Sequence, residues 1–123
     1  MDDYCGKNIL KVLIYIEDHI NDEIKIEDLT KIACYSSFHF QRLFRLIVGE
    51  SVYKYIKRLR MERAMQKLYG SYQSITNVAL EAGFETPSAF SKAFRQCTGR
   101  SPRNYRKLYK EINMSKKKLM IWL

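Results

Sequence analysis

Apolar residues along this chain return at intervals of three and four, the period of helices buried on one side, rather than at the interval of two expected of half-buried strands. Ile9, Val12, Leu13, Ile16 and Ile20 form one stripe and predict a first helix over about residues 8–20, with Glu17 and Asp18 facing outward. Ile26, Leu29, Ile32 and Ala33 predict a short second helix over 26–33, followed by a tight turn at Cys34-Tyr35. Ser36 or Ser37 can cap the next helix, whose inner face is Phe40, Leu43, Phe44 and Ile47 and whose stop is Gly49. Helix, four-residue turn and helix make a helix-turn-helix unit, in which the outer face of the second helix stays free.

A long helix over 52–68 follows, capped by Ser51, with Tyr55, Ile56, Leu59, Ala64 and Leu68 as packing positions and Lys54, Lys57, Arg58, Arg60, Arg63 and Lys67 around them. Gly70 ends it, and Ser71-Tyr72-Gln73-Ser74 is a linker so short that the long helix acts as a near-rigid strut. The plan then restarts with a helix over 75–82 (Ile75, Val78, Ala79, Ala82 inward) and a turn at Gly83. Thr86 is the next cap, with Pro87 at the first helical position, where a missing N–H costs nothing. Phe90, Ala93, Phe94 and Cys97 line the inner face to Gly99, and Ser101-Pro102 open a last helix that buries Tyr105 and Leu108. The expected fold is all-α, with about seven helices in two helix-turn-helix lobes (8–50 and 74–109) joined by a linker helix (51–69). Residues 110–123 form a basic and apolar tail, in which Lys116–Lys118 and Leu119–Leu123 either dock on the core or begin a further domain.

The restart is a repeat at the level of residues. Ala33-Cys34-Tyr35, Phe40, Gln41, Arg42, Phe44, Arg45, Gly49, Ser51 and Tyr55 return as Ala82-Gly83-Phe84, Phe90, Ser91, Lys92, Phe94, Arg95, Gly99, Ser101 and Tyr105. The offset is 49 up to Tyr35/Phe84 and 50 from Phe40/Phe90, which places one added residue at the start of the second copy's helix. Repeats of this length suggest duplicated helical units, and two are too few for a solenoid.

Charge decides which partners suit such units. The formal net charge is +9, but residues 1–30 carry three Lys/Arg against eight Asp/Glu, whereas residues 31–123 carry nineteen against five. The positive field belongs to the repeats and attracts polyanions, with nucleic acid or an anionic membrane surface the main candidates. Three cysteines, at 5, 34 and 97, have no metal-ligand spacing among themselves or to His19 and His39, so no metal, cofactor or disulfide framework is expected and a reducing, cytoplasmic setting is. Cys34 and Cys97 read as small buried hydrophobes. The N-terminus is acidic, its apolar stretch is broken by Lys11, and no run approaches the roughly 20 apolar residues of a membrane span. His39 has no nucleophile or carboxylate at a suggestive spacing, which favours a structural or phosphate-contacting histidine over a catalytic base and a binding protein over an enzyme.

The free faces carry the chemistry of base recognition. Phe38, Gln41, Arg42 and Arg45 lie opposite the Phe40/Phe44 face. Arginine matches guanine O6 and N7, glutamine matches adenine N6 and N7, and a ring packs on the thymine methyl. Gln41 and Arg42 are the leading base readers. Exposed Gln and Arg also make an ordinary solvated helix face, and it is their company in a basic, duplicated unit that favours recognition. The second unit offers Ser88, Ala89, Lys92 and Arg95, a thinner reading surface, while Arg58, Arg60, Arg103 and Arg106 are candidate phosphate anchors. The cap residues Ser36, Ser37 and Thr86 complete the candidate contact set with Pro87. The aromatic residues keep helical phase, which favours core packing over base stacking on single strands.

Gly83-Phe84-Glu85-Thr86, Phe90-Ser91-Lys92, Phe94-Arg95, Gly99, Ser101-Pro102 and Tyr105-Arg106 closely resemble the signature of the AraC/XylS family of bacterial transcription regulators, over roughly residues 8–109. Among its members the chain looks most like the short MarA, SoxS and Rob type of DNA-binding domain. The resemblance implies two recognition helices in successive major-groove segments of double-stranded DNA, a monomer on an asymmetric site, some DNA bending, and contact with RNA polymerase. It places Phe38, Gln41 and Arg42 on base-contacting positions of the first helix, with Phe38 where close relatives have tryptophan. It places Pro87, Ser88, Ala89 and Lys92 on those of the second, where relatives carry glutamines, a threonine and an arginine, so the target sequence is expected to differ. Two alternatives are a DNA-binding module of a larger sensor or alkylation-repair protein, whose cysteine clusters are not found here, and a nonspecific architectural or RNA-binding protein using only the positive field.

Overall fold

A computed structural model describes the backbone of residues 3–70 and 72–122 and the side chains of residues 6–70, 72–112 and 114. Among the described residues there are seven helices and no strand: α1 (Asp3–Asp18), α2 (Ile26–Ala33), α3 (Ser37–Val48), α4 (Val52–Gly70), α5 (Ile75–Glu81), α6 (Pro87–Thr98) and α7 (Pro102–Trp122). The all-α fold expected from the periodicity is the fold observed. The chain divides into two compact units, Met1–Arg60 and Met61–Leu123, and the division falls inside α4.

In the first unit, Ile9, Val12, Ile16 and Ile20 meet Leu29, Ala33, Phe40, Phe44 and Val52 in one buried cluster. Phe40 and Phe44 are 5.9 Å apart between ring centroids, and Tyr55 meets Phe44 edge-on at 5.7 Å. The second unit repeats the arrangement around Met61, Ala64, Leu68, Val78, Ala79, Ala82, Phe90 and Phe94. There Phe90 and Phe94 stand 5.6 Å apart and Tyr105 meets Phe94 edge-on at 5.3 Å. The duplicated residues therefore do duplicated work, since Phe44–Tyr55 and Phe94–Tyr105 are the same pair at an offset of 50. α4 serves both clusters, with Tyr55, Ile56 and Leu59 against the first and Met61, Ala64 and Leu68 in the second.

The helix ends follow the same duplication. Ser36 Oγ accepts from the His39 N–H at the start of α3, and Thr86 Oγ1 accepts from the Ala89 N–H at the start of α6. Ser51 and Ser101 do the same for Lys54 and Asn104 at the starts of α4 and α7. Each cap satisfies an N–H that has no partner within its helix. Gly49 and Gly99 close α3 and α6 in the left-handed region, at φ 93° and 78°, where a side chain would be strained.

Several sequence expectations are corrected. α3 and α6 are both 12 residues long, so the residue added in the second copy is not at the helix start. Two steps lead from left-handed Cys34 to the cap Ser36 and three from left-handed Gly83 to the cap Thr86, so the addition lies in the turn, before the cap. The first turn has three residues between helices rather than four, because Ser37 already belongs to α3. α1 begins earlier than the apolar stripe suggested, and α7 continues to Trp122, through residues expected to form a separate tail. The side chains of Lys116–Lys118 and Leu119–Leu123, whose docking on the core was an open question, lie outside the described residues, as do those of Cys5 and Ser71. Ile47 is 38% exposed, and Val48 packs on the cluster in its place. Cys34 and Cys97 are exposed, not buried. Cys34 occupies the turn, and Cys97, although in phase with Phe90 and Phe94, lies in the last turn of α6, outside the buried cluster, as Ile47 does in α3.

Cys34 is the one described non-glycine residue with positive φ, at 62°, and its partner in the repeat is Gly83 at 88°. Asn8, buried in α1, donates through Nδ2 to the Ala33 carbonyl at 3.1 Å and fixes the chain just before that turn. A side chain in the left-handed region costs roughly 1–2 kcal/mol, and glycine's greater freedom in the unfolded chain returns part of the gain. Cys34→Gly is therefore expected to stabilise the protein by about 0.5–1 kcal/mol. The check is the urea midpoint, which should rise; a midpoint that falls would mean that the cysteine side chain contributes more than its backbone strain costs.

In the second unit Lys67 of α4 pairs with Glu81 of α5, and Gln73 donates through Nε2 to Glu81 Oε1 at 3.3 Å. The Lys67 hydrogen bond holds the Glu81 carboxyl below its ordinary value, against the opposing effect of burial. The pair's contribution is thus present above the ordinary carboxylate pKa and is lost as pH falls through the lowered one. Both side chains are partly exposed, so the contribution is small.

Candidate nucleic-acid interface

Burial of Phe40 and Phe44 orients α3 and determines what it leaves in solvent. One residue turns a helix by about 100°, so Phe38, Arg42 and Arg45 fall on the far side, with Gln41 at its flank. All four are exposed, Phe38 by 74%. Ser37, Phe38, Gln41, Arg42 and Arg45 line a shallow concavity completed by Ser51 and Val52 at the start of α4. Apart from Phe38 and Val52, its lining residues are polar or cationic.

The second unit has the same concavity at the same offset, lined by Pro87, Ser88, Ser91, Lys92, Arg95 and Gln96. Ala89 is exposed beside it. Two of these residues were missed by sequence reasoning. Ser91 stands where the first copy has Gln41, so aligning the copies finds it, whereas Gln96 stands where the first copy has Leu46 and no repeat signal marks it. Leu46 itself is 68% exposed, an apolar side chain at the edge of the α3 face where α6 offers an amide.

The candidate contacts Arg42, Arg45, Lys92, Arg95 and Arg103 are exposed and have no hydrogen-bond or ion-pair partner among the described residues. Three others proposed as phosphate anchors have intramolecular partners. Arg58 forms an ion pair with Glu50 at 2.6 Å and lies 5.4 Å over the Tyr55 ring. Arg60 donates to the carbonyls of Ile20 at 3.2 Å and Asp22 at 2.7 Å, just past the end of α1. Arg106 donates to the carbonyls of Leu68 at 2.6 Å and Gln73 at 2.7 Å, where α4 gives way to the linker. In each unit an arginine thus binds carbonyls in the last turn of a helix or in the segment that follows it. The two arginines are not equivalent in the repeat, and each bond spans 33 to 40 residues, so no local pattern announces them.

The caps are also resolved. Ser36 and Thr86 use their side-chain oxygens within the protein, accepting from His39 and Ala89. Ser37 instead accepts a hydrogen bond from Gln41 Nε2 at 3.1 Å, one turn further along α3. His39 is exposed and stacks near Tyr35, with ring centroids 6.2 Å apart. Among the described residues there is no group of three or more His, Cys, Asp or Glu placed to hold a metal ion, and no helix long and apolar enough to cross a membrane.

A family model for a helix-turn-helix domain matches residues 29–108, the span from α2 to the first half of α7. The chain is 33% identical over 113 residues to the uncharacterized HTH-type transcriptional regulator YbfP of Bacillus subtilis (strain 168), covering 92% of this chain and 38% of that protein. It is 32% identical over 98 residues to the HTH-type transcriptional activator AarP of Providencia stuartii, covering 80% of this chain and 73% of AarP. Its fold is similar to the DNA-binding domain of AdpA, a global transcriptional factor, solved in complex with a target DNA. That match has a TM-score of 0.77 and 29% identity, over 85% of this chain and 94% of that one.

Proposed function

The chain belongs to the AraC/XylS family of helix-turn-helix transcription regulators, and from that premise we propose that it reads an asymmetric double-stranded site with α3 and α6 in successive major-groove segments. The observation that carries this reading is the recurrence of one exposed, cation-bearing concavity at the same place in both units. The protein is a DNA-binding regulator of bacterial transcription. Its base readers are Gln41 and Arg42, with Phe38 packing on a thymine methyl. In the second unit Ser88, Ala89 and Lys92 lie against the groove, with Pro87 at its edge.

Phosphate contacts fall to Arg45, Arg95 and Arg103, whose guanidinium groups are uncommitted, and to the N-termini of α3 and α6 with their caps Ser36 and Thr86. Arg58, Arg60 and Arg106 support the interface by holding the elements that carry it. The protein acts in the cytoplasm, as a monomer on its site, without cofactor or catalysis, and contacts RNA polymerase at promoters. The lobes 8–50 and 74–109, joined through 51–69, are its working parts.

Selection of bound sequences from a random duplex pool tests the proposal. The expected product is one asymmetric motif spanning about two helical turns, because each recognition helix reads its own segment. A pool that stays random while binding falls steeply with salt would instead identify a general polyanion binder.

A further inference from the structure

Gln41 is not an independent side chain. Its Nε2 donates to Ser37 Oγ at 3.1 Å, within the concavity that Phe38, Arg42 and Arg45 also line. Ser36, not Ser37, caps α3, so the Ser37 hydroxyl has no duty in holding the helix end. We propose that Ser37 is a positioning residue that sets the carboxamide of Gln41 for an adenine edge.

The chemistry runs through the amide's hydrogen-bond inventory. A glutamine carboxamide has two N–H donors and an acceptor oxygen. One N–H is spent on Ser37 Oγ, which settles which way round the amide lies. The second N–H and Oε1 remain, and they are the donor and acceptor that adenine N7 and the adenine N6 amino group require. An unrestrained glutamine must give up rotamer freedom to make that bidentate contact, and a side chain already held gives up less. The serine hydroxyl keeps its own proton and can donate it onward.

The second unit lacks the device. The two equivalent positions are Pro87, which has no hydroxyl, and Ser91, which has no amide. The serine-held amide is therefore a feature of α3 with no counterpart at the equivalent positions of α6. This proposal rests on the assignment of Gln41 as a base reader, and the experiment separates the two.

On a duplex carrying the selected motif, affinities of the full chain are measured for all four base pairs at each position, for wild type, Ser37→Ala, Ser37→Thr, Gln41→Ala and Ser37→Ala with Gln41→Ala. Gln41→Ala is expected to flatten the preference at one A·T pair by roughly five- to a hundredfold, which identifies the pair that it reads. Ser37→Ala should weaken the preference at that same pair roughly two- to tenfold, the worth of one net hydrogen bond. Other pairs should be unaffected, as should the thermal midpoint. Ser37→Thr should restore the preference, and Ser37→Ala added to Gln41→Ala should cost nothing more.

If Gln41→Ala flattens no position, the reading of Gln41 fails and positioning fails with it. If Gln41→Ala flattens one position and Ser37→Ala leaves that preference intact, positioning alone is overturned. A uniform loss across all duplexes in Ser37→Ala would make Ser37 a phosphate contact and would also overturn it.

Discussion

Phe94→Ala is expected to cost about 3–5 kcal/mol, as removal of a fully buried phenylalanine does, and to unfold the second unit while leaving the first in place. Phe94 is wholly buried and touches both of its aromatic neighbours, Phe90 at 5.6 Å and Tyr105 at 5.3 Å. Its loss opens a cavity where α6 meets α7, and α6 then has nothing to hold its outer face at a fixed angle. A unit of this size has a total stability of only a few to about ten kcal/mol, so the loss is comparable with the whole. The first unit keeps its own cluster around Phe40 and Phe44, which shares no buried residue with the second. Amide hydrogen exchange provides the check. Protection should disappear from α5, α6 and the start of α7 and persist in α1 to α3; even loss throughout would mean that the two clusters unfold as one cooperative body. Tyr105 supplies a second sign of the same packing. Burial, then the neighbouring Tyr69 and Tyr109, raise its phenol above the ordinary value, so its contribution is present below the ordinary tyrosine pKa and is lost as pH rises through the raised one.

The parts of the molecule legible in its sequence are those determined by local pattern. α2, expected over about residues 26–33, is observed at Ile26–Ala33, because Ile26, Leu29, Ile32 and Ala33 give a complete apolar stripe with a turn beside it. Thr86 and Pro87 are likewise a cap and a first helical residue as their types suggest, since side-chain hydrogen bonding and proline geometry act within a turn. The misses have a different physics. Cys34 and Cys97 are assigned to the interior by residue type, yet a turn position and a place in the last turn of a helix decide otherwise. Arg60 and Arg106 count as free charge until the fold brings distant helix ends to them. The candidate interface is legible in outline, because an exposed arc follows from knowing the buried one. The Ser37–Gln41 bond within it is visible only once the cap is known to be Ser36.

That distinction between committed and uncommitted charge predicts different consequences for arginines that look alike in sequence. Arg42→Ala is expected to cost about 1–3 kcal/mol on the selected duplex and to relax discrimination at one base pair, as loss of a bidentate guanine contact does. Its side chain is exposed, lies at the centre of the α3 outer face, and has no partner among the described residues that would oppose its engagement. Arg103→Ala, at the exposed start of α7, is expected to weaken specific and random duplexes alike and to reduce the salt slope by about one, the behaviour of a phosphate contact. Lys92→Ala should fall between them. An ammonium is a point charge on a flexible stem and lacks the planar fork that distinguishes guanine from its competitors, so the second unit loses affinity with less loss of selectivity. Filter-binding or anisotropy titrations on specific and random duplexes, repeated over a range of salt, separate the three. An Arg42→Ala protein that lost the same factor on both duplexes would remove Arg42 from the base-reading set and leave α3 gripping the backbone, with Gln41 as its only reader.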